Sequence, residues 1–268
     1  MHLAILAAVQ GITEFLPISS SGHLILVPLV AGWKDQGLPI DVAVHVGTLF
    51  AVMVYFWRDI FYMLGGLGRL LRGKRDDAGR LFINVVIATI PVAIAGYFLN
   101  EIGQAMMRRA DIIGWATLVF GLVLWAADRF NLTVRRLEHV KWGGALSIGM
   151  FQVLALIPGT SRSGITMTAG RLLGMERADA ARFSMLISIP VIIGAGLLEG
   201  LDLYRSGDRA LTLDAGYATV ISFATALVTV ALMMAWLRRA SFTPFVIYRI
   251  LLGGVLLYFV YFVPGFGG

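Results

Sequence analysis

Gln10-Gly-Ile-Thr-Glu14-Phe-Leu-Pro17-Ile-Ser19-Ser20-Ser21-Gly22-His23 and Ile157-Pro158-Gly159-Thr160-Ser161-Arg162-Ser163-Gly164 are the two stretches that decide the fold. Each has a Pro followed by a hydroxyl-rich turn ending at Gly, set in an apolar stretch that it breaks mid-way. Pro17 and Pro158 stand 141 residues apart in a chain of 268, so each half carries one copy. Non-helical backbone at membrane depth is tolerated only where protein or a wet cavity surrounds it, and matching breaks in two halves point to a midplane site.

The remainder of the chain is membrane-like. Apolar residues make up 58% and charged residues 14%, against about 25% charged in a soluble domain. Mean hydropathy is +0.82. Spans are expected at about 42–57, 81–99, 112–127, 183–201, 217–237 and 244–262, each near the length a bilayer requires. The broken stretches 3–31 and 142–173 read as re-entrant hairpins, a helix, a turn and a second helix leaving by the same face. The expected architecture is an all-α integral membrane protein, a single domain over 1–268. About six spanning helices and two re-entrant hairpins form an inverted-topology repeat, roughly 1–140 and 141–268. The longest polar stretch, Arg69 to Arg80, is too short for a separate core, and no cleavable signal is evident before the first motif. The absence of cysteine excludes disulfide and thiolate chemistry.

Loop charges agree with that topology. If Arg58–Arg80 is cytoplasmic, 129–141, 171–182 and 238–241 fall on the same side, and together they hold 15 Lys or Arg. The opposite side holds five: Lys34, Arg108, Arg109, Arg205 and Arg209. That asymmetry follows the positive-inside rule and fails if either broken stretch is made a full span. It also accounts for the +6 net charge without a polyanion, so no nucleic-acid partner is expected.

The tips carry the chemistry. Gln10 and Glu14 are four residues apart and share a helix face, where an amide oxygen and a carboxylate suit a hard cation, Mg²⁺ or Ca²⁺. Ser19, Ser20, Ser21 and His23 follow the first Pro; a Ser- and Gly-containing turn entering a helix offers N–H groups to an anion. Ser20 and His23 could pair as hydroxyl nucleophile and proton-transfer partner. The second tip adds Thr160, Ser161, Arg162 and Ser163. Arg162 has no acidic neighbour in sequence, and its planar donors suit phosphate. Asp41 and His45 read as lining the outer mouth or as a local pair at a helix end. Arg249 reads as snorkelling to the inner interface, and Gln152 as satisfying unwound backbone near the second tip. His2 and His139 look incidental.

Q-x-x-x-E-F-L-P-x-S-S-S-G-H at Gln10–His23 and P-G-T-S-R-S-G at Pro158–Gly164 resemble the signature motifs of the bacterial undecaprenyl pyrophosphate phosphatase family, also called bacitracin-resistance proteins. Asp41–Thr48, Phe151-Gln152 and Phe242–Arg249 extend the resemblance over essentially the whole chain. It implies hydrolysis of a C55 isoprenyl pyrophosphate to the monophosphate carrier and inorganic phosphate, for reuse in cell-wall synthesis. Glu14 with Gln10 would hold the divalent cation. Ser20 is the first choice of nucleophile and His23 of acid/base, with attack by water or by His23 itself left open. Arg162 with Ser161 would neutralise the transferring phosphoryl group, and Ser19, Ser21, Thr160 and Ser163 would support or contact phosphate. The expected setting is the bacterial cytoplasmic membrane, multi-pass, with a lipid pyrophosphate partner and a possible homodimer.

Rival readings differ in what they require. A lipid-phosphate transporter or flippase could share the inverted-repeat architecture but would release no phosphate. The membrane phosphatase class with K-x6-R-P does not fit, since no Arg-Pro occurs. A scaffold would not need Glu14 and Arg162 at matching tips.

Overall fold

A computed structural model describes residues 2–33, 38–99, 109–131, 133, 136–206 and 209–263. The helices are α1 (His2–Thr13), α2 (Ser20–Ala31), α3 (Leu38–Tyr55), α4 (Trp57–Leu71), α5 (Asp77–Leu99) and α6 (Ala110–Phe130) in the first half. The second half has α7 (Trp142–Val153), α8 (Arg162–Leu172), α9 (Arg177–Ser206), α10 (Arg209–Leu237) and α11 (Thr243–Phe262). No strand occurs among the described residues.

Length sorts these helices. Within α5, α6, α10 and α11 lie four stretches long and apolar enough to cross a membrane, and a fifth results if α3 and α4, bent by 78°, count together. The stretch 183–201 lies inside the 30-residue α9, several of whose side chains lie outside the described residues to which that count applies. By contrast α1, α2, α7 and α8 have 11 or 12 residues. At 1.5 Å per residue each covers about 18 Å of a roughly 30 Å hydrocarbon layer.

Burial is distributed as lipid solvent requires. Large apolar side chains lie outside, among them Tyr97, Phe130, Trp142, Tyr217 and Phe262. Gln10, Glu14, His23, Ser163, Arg171 and Arg249 are buried inside. Polar groups in a bundle face its interior because lipid offers them no partners.

The stretch expected as a loop at 58–80 contains helix α4. It turns Trp57, Phe61, Leu64 and Leu71 outward, packs Met63 and Gly66 inward, and carries Arg58, Arg69 and Arg72 at its sides and end. An amphipathic helix of this kind suits the interface plane. Beyond it Asp76 starts α5: its carboxylate accepts from Gly79 N–H at 2.8 Å. That bond, with Arg69 beside it, holds the Asp76 carboxyl below the usual range.

The basic segments meet in space. Arg182 pairs with Asp59, Arg80 donates to Glu138 O at 2.7 Å, and Asp179 accepts from Leu137 N–H at 2.9 Å. Asp128 gathers Arg171 (3.0 Å), Arg177 (2.8 Å) and Phe242 N–H (3.3 Å). Arg171, counted from sequence with loop charges, is almost fully buried in this cluster. Lys34 and Arg108 of the opposite side lie outside the described residues.

Close approach fixes the short helices against their neighbours. Gly149 of α7 lies on Ala88 of α5, where an added Cβ would fall 2.6 Å from the carbonyl oxygen. Gln152, one turn on, donates to that same Ala88 O at 3.2 Å. Gln152, expected to satisfy unwound backbone near the second tip, sits in α7 and gives its amide to α5, at a carbonyl three residues before Pro91. Gly149→Ala should therefore force α7 off α5 and lower thermal stability in detergent by about 1–3 kcal/mol. Gly143→Ala, with nothing within 4 Å of the new Cβ, should change it little.

Candidate active site

The two tips are built alike. Pro17 and Pro158 disfavour helix in the residue before them. Ser19 (φ 76°) and Ser161 (φ 69°) then stand immediately before α2 and α8, and they are the non-glycine residues with positive φ among those described. Each Oγ accepts from the N–H of the glycine three residues on, Gly22 at 3.4 Å and Gly164 at 3.1 Å. Such backbone costs on the order of 1–3 kcal/mol and persists only where its surroundings hold it. Gly159, at φ 93°, sits where a Cβ would lie 2.4 Å from Ile113 O.

The tips touch. Ser163 Oγ donates to Leu16 O at 2.9 Å, and Arg162 Nη2 donates to Glu14 Oε1 at 2.8 Å. Arg162, without an acidic neighbour in sequence, thus finds its carboxylate in the other half of the chain; it also lies over the Phe15 ring at 5.8 Å. Glu14 follows the end of α1, and its Oε2 accepts from Gln10 Nε2 at 2.8 Å and Ser20 Oγ at 2.7 Å. His45 Nε2 of α3 is 3.5 Å from the same oxygen. Glu14 is therefore the hub of the site, and Ser20 and Arg162, the first residues of α2 and α8, reach it from two helix N-termini. Helix N-termini favour anions.

His23 lies apart from that hub. Its Nδ1 is 2.6 Å from Ser19 O, so Nδ1 is the donor and Nε2 accepts from the Tyr248 hydroxyl. The rings stack 5.6 Å apart at 10°. Both nitrogens are engaged, and the hydroxyl of Ser20 goes to Glu14. The His23–Ser20 pairing expected from their spacing is thus replaced in this geometry by Glu14–Ser20. Thr160 is buried at the second tip with its hydroxyl unpartnered among the described residues. Ser161 Oγ and Ser163 Oγ are 3.1 Å apart. The side chain of Ser21 lies outside the described residues.

Arg249 is where the structure departs furthest from the sequence reading. It does not reach an interface; it is fully buried. Its guanidinium donates to Pro17 O (3.4 Å) in the first tip and to Gly159 O (3.0 Å) and Thr160 O (2.9 Å) in the second. It also donates to Ala116 O (3.4 Å) and Thr117 O (3.0 Å) of α6. Its partners are carbonyls, so its charge has no carboxylate among these bonds and adds positive potential behind both tips. The signal was available, because a charged residue inside the apolar 244–262 stretch calls for an interior partner. Tyr248 beside it offered no comparable signal.

The arrangement can accept a proton from a hydroxyl at Glu14 and receive an anion between Arg162 and two helix starts. Arg249→Met should orphan carbonyls in both tips at about 1–3 kcal/mol each. The expected readouts are a large fall in thermal stability and a broadened tip-to-tip distance between spin labels at the tips, while Arg249→Lys should restore part of both.

Comparison with known proteins assigns the chain to a family. Residues 3–255 match the family described as bacitracin resistance protein BacA. The chain is 51% identical to undecaprenyl-diphosphatase 1 of Rhodospirillum rubrum, covering 98% of this chain and 96% of that protein. It is 51% identical to an undecaprenyl-diphosphatase of Ruegeria pomeroyi, over 97% and 98%. An undecaprenyl-diphosphatase of Alteromonas mediterranea is 46% identical over the same shares. A match over nearly all of its length, on an all-helical chain with membrane-length helices and paired tips, places this multi-pass membrane protein in the bacitracin resistance protein BacA family.

Proposed function

We propose that this chain hydrolyses undecaprenyl diphosphate to undecaprenyl phosphate and inorganic phosphate where its two tips meet. The observation that carries the reading is the contact of Glu14 with both Ser20 and Arg162, at 2.7 and 2.8 Å. A hydroxyl hydrogen-bonded to a carboxylate beside a guanidinium is the set that phosphoryl transfer needs: a nucleophile, a base and a cation for the transferring oxygens. The relatives' names supply the lipid. The proposed setting is the bacterial cytoplasmic membrane, with the two short-helix pairs as re-entrant hairpins that bring the tips to membrane depth.

Catalysis follows from the bonds already made. The terminal phosphate competes with Glu14 for the Arg162 guanidinium, and the N–H groups at the starts of α2 and α8 add to its hold. Glu14, freed from one partner, takes the Ser20 proton as the hydroxyl attacks the terminal phosphorus; the bridging P–O bond breaks and undecaprenyl phosphate leaves with that proton. Water then cleaves the phosphoserine, one of its protons returning through Glu14 to Ser20 Oγ as inorganic phosphate departs. Arg249 keeps both tips in register and leaves its charge uncompensated behind them. His23, held by Ser19 and Tyr248, fixes the start of α2 and is placed to exchange a proton only once Tyr248 lets go.

A divalent cation, Mg²⁺ or Ca²⁺, belongs to the same proposal. The residues fit it in part: one carboxylate, Glu14, and the buried side-chain oxygen of Gln10, which has no partner among the described residues. Mg²⁺ is commonly held by one or two carboxylates with substrate phosphates completing the shell. Its contribution when bound is to offset charge on the diphosphate.

Purified protein should release phosphate from a prenyl diphosphate in detergent without a gradient, which a transporter would not do. Glu14→Gln should abolish most turnover, and Arg162→Lys should lose about 10²–10³ in rate because the planar fork is gone. Rapid-quench labelling with a substrate carrying terminal ³²P should leave acid-stable label on Ser20. Full turnover by Ser20→Ala, with no label on the unmutated protein, would transfer the attack to water.

A further inference from the structure

His45 Nε2 stands 3.5 Å from Glu14 Oε2, an ion pair when the ring is protonated and a different arrangement when it is neutral. His45 Nδ1 lies 2.6 Å from the Asp41 carbonyl, so the proton of the neutral ring sits on Nδ1. Nε2 is then a bare lone pair, 3.5 Å from another acceptor, Glu14 Oε2. That separation exceeds the usual 2.7–3.2 Å of an N–H···O bond. It agrees with the roughly 3.0–3.5 Å between adjacent donor atoms of one ion bound at about 2.1–2.3 Å. An imidazole whose other nitrogen donates to a backbone carbonyl is also the common form of a metal-ligating histidine.

Gln10 supplies a second, independent observation. Its side chain is fully buried, Nε2 donates to Glu14 Oε2 at 2.8 Å, and Oε1 has no partner among the described residues. A half-turn of the amide exchanges the two atoms and brings the orphaned oxygen beside the carboxylate. Two acceptors would then adjoin, an arrangement that a cation between them stabilises.

We propose that His45 is a third protein ligand, with Glu14 and Gln10, of the divalent cation, and that its imidazole tilts the site toward a transition ion such as Mn²⁺ and away from Ca²⁺. The inference rests on the reading that a cation binds at Glu14. No three His, Cys, Asp or Glu cluster in this way among the described residues; here the set is one carboxylate, one imidazole and one amide. Imidazole suits first-row transition ions, whereas Ca²⁺ takes oxygen. Diphosphate oxygens and water complete the shell.

The test uses full-length protein without a polyhistidine tag, titrated with Mn²⁺ in detergent and followed by electron paramagnetic resonance. One Mn²⁺ should bind per chain, with ¹⁴N modulation in the spin echo that becomes a ¹⁵N pattern on labelling with ¹⁵N-histidine. His45→Gln should abolish the modulation and weaken Mn²⁺ binding by about tenfold or more, and Ca²⁺ should then compete better. His139→Gln should change neither. The labelling result shows a histidine ligand without any variant, and retention of the ¹⁵N pattern in His23→Gln, the other histidine at the tips, assigns it to His45 if His45→Gln is unstable. Binding that depends on Glu14 but shows no nitrogen coupling would overturn the role of His45 and leave the cation at Glu14. Absence of any Glu14-dependent binding of Mn²⁺, Mg²⁺ or Ca²⁺ would overturn both.

Discussion

Carbonyls of interrupted helices, left without helical N–H partners inside a lipid-solvated bundle, are the constraint on which this molecule turns. Lipid offers them no partner, and each group left unpaired costs as much as a lost hydrogen bond. Arg249 meets that demand from one position. Its donors reach Pro17 O, Gly159 O and Thr160 O, so a single side chain of α11 holds both interruptions and ties them to α6. A lysine would bring one compact charge where a forked plane is needed.

Once the tips are held, the left-handed serines become usable. Ser19 and Ser161 are strained residues that cap α2 and α8 through the same Oγ-to-glycine bond. They are 142 residues apart, as are Gln10 and Gln152. The packing matches in part: α1 lies on α10 and α7 on α5, with α3 on α9 and α6 on α11, whereas the most extensive contact, α3 on α10, has no equal in α9 on α5. The chemistry is not reciprocal. The first residue of α2 is Ser20 and that of α8 is Arg162, so one tip presents a hydroxyl and the other a guanidinium, and Glu14 joins them. Neither half alone contains both charges.

Below the tips, a second charged layer performs a different task. Asp128 with Arg171 and Arg177, and Asp59 with Arg182, tie the ends of α4, α6, α8 and α9 together on one face. A cavity of about 530 Å³ there is lined by arginines and carboxylates in equal number, including Arg58, Arg80, Asp59 and Asp179. Arginines of this face thus find carboxylates and carbonyls of the same chain.

Much of this was legible in the chain because it depends on local spacing. Apolar runs near twenty residues announce spanning helices. Pro17 and Pro158 announce the breaks, and Gln10 and Glu14 share a face because helices repeat every 3.6 residues. Arg58–Arg80 misled because a helix lying in the interface mixes arginines with outward aromatic residues and so resembles a polar loop. What only tertiary structure decided was the choice of partner. Sequence spacing put His23 with Ser20, yet Glu14 takes Ser20 and Tyr248, 225 residues away, takes His23. Arg249 and His45 gained their places in the same way, from helices far off in sequence. Periodicity states which side of a helix a residue occupies, but only helix crossing states what that side meets.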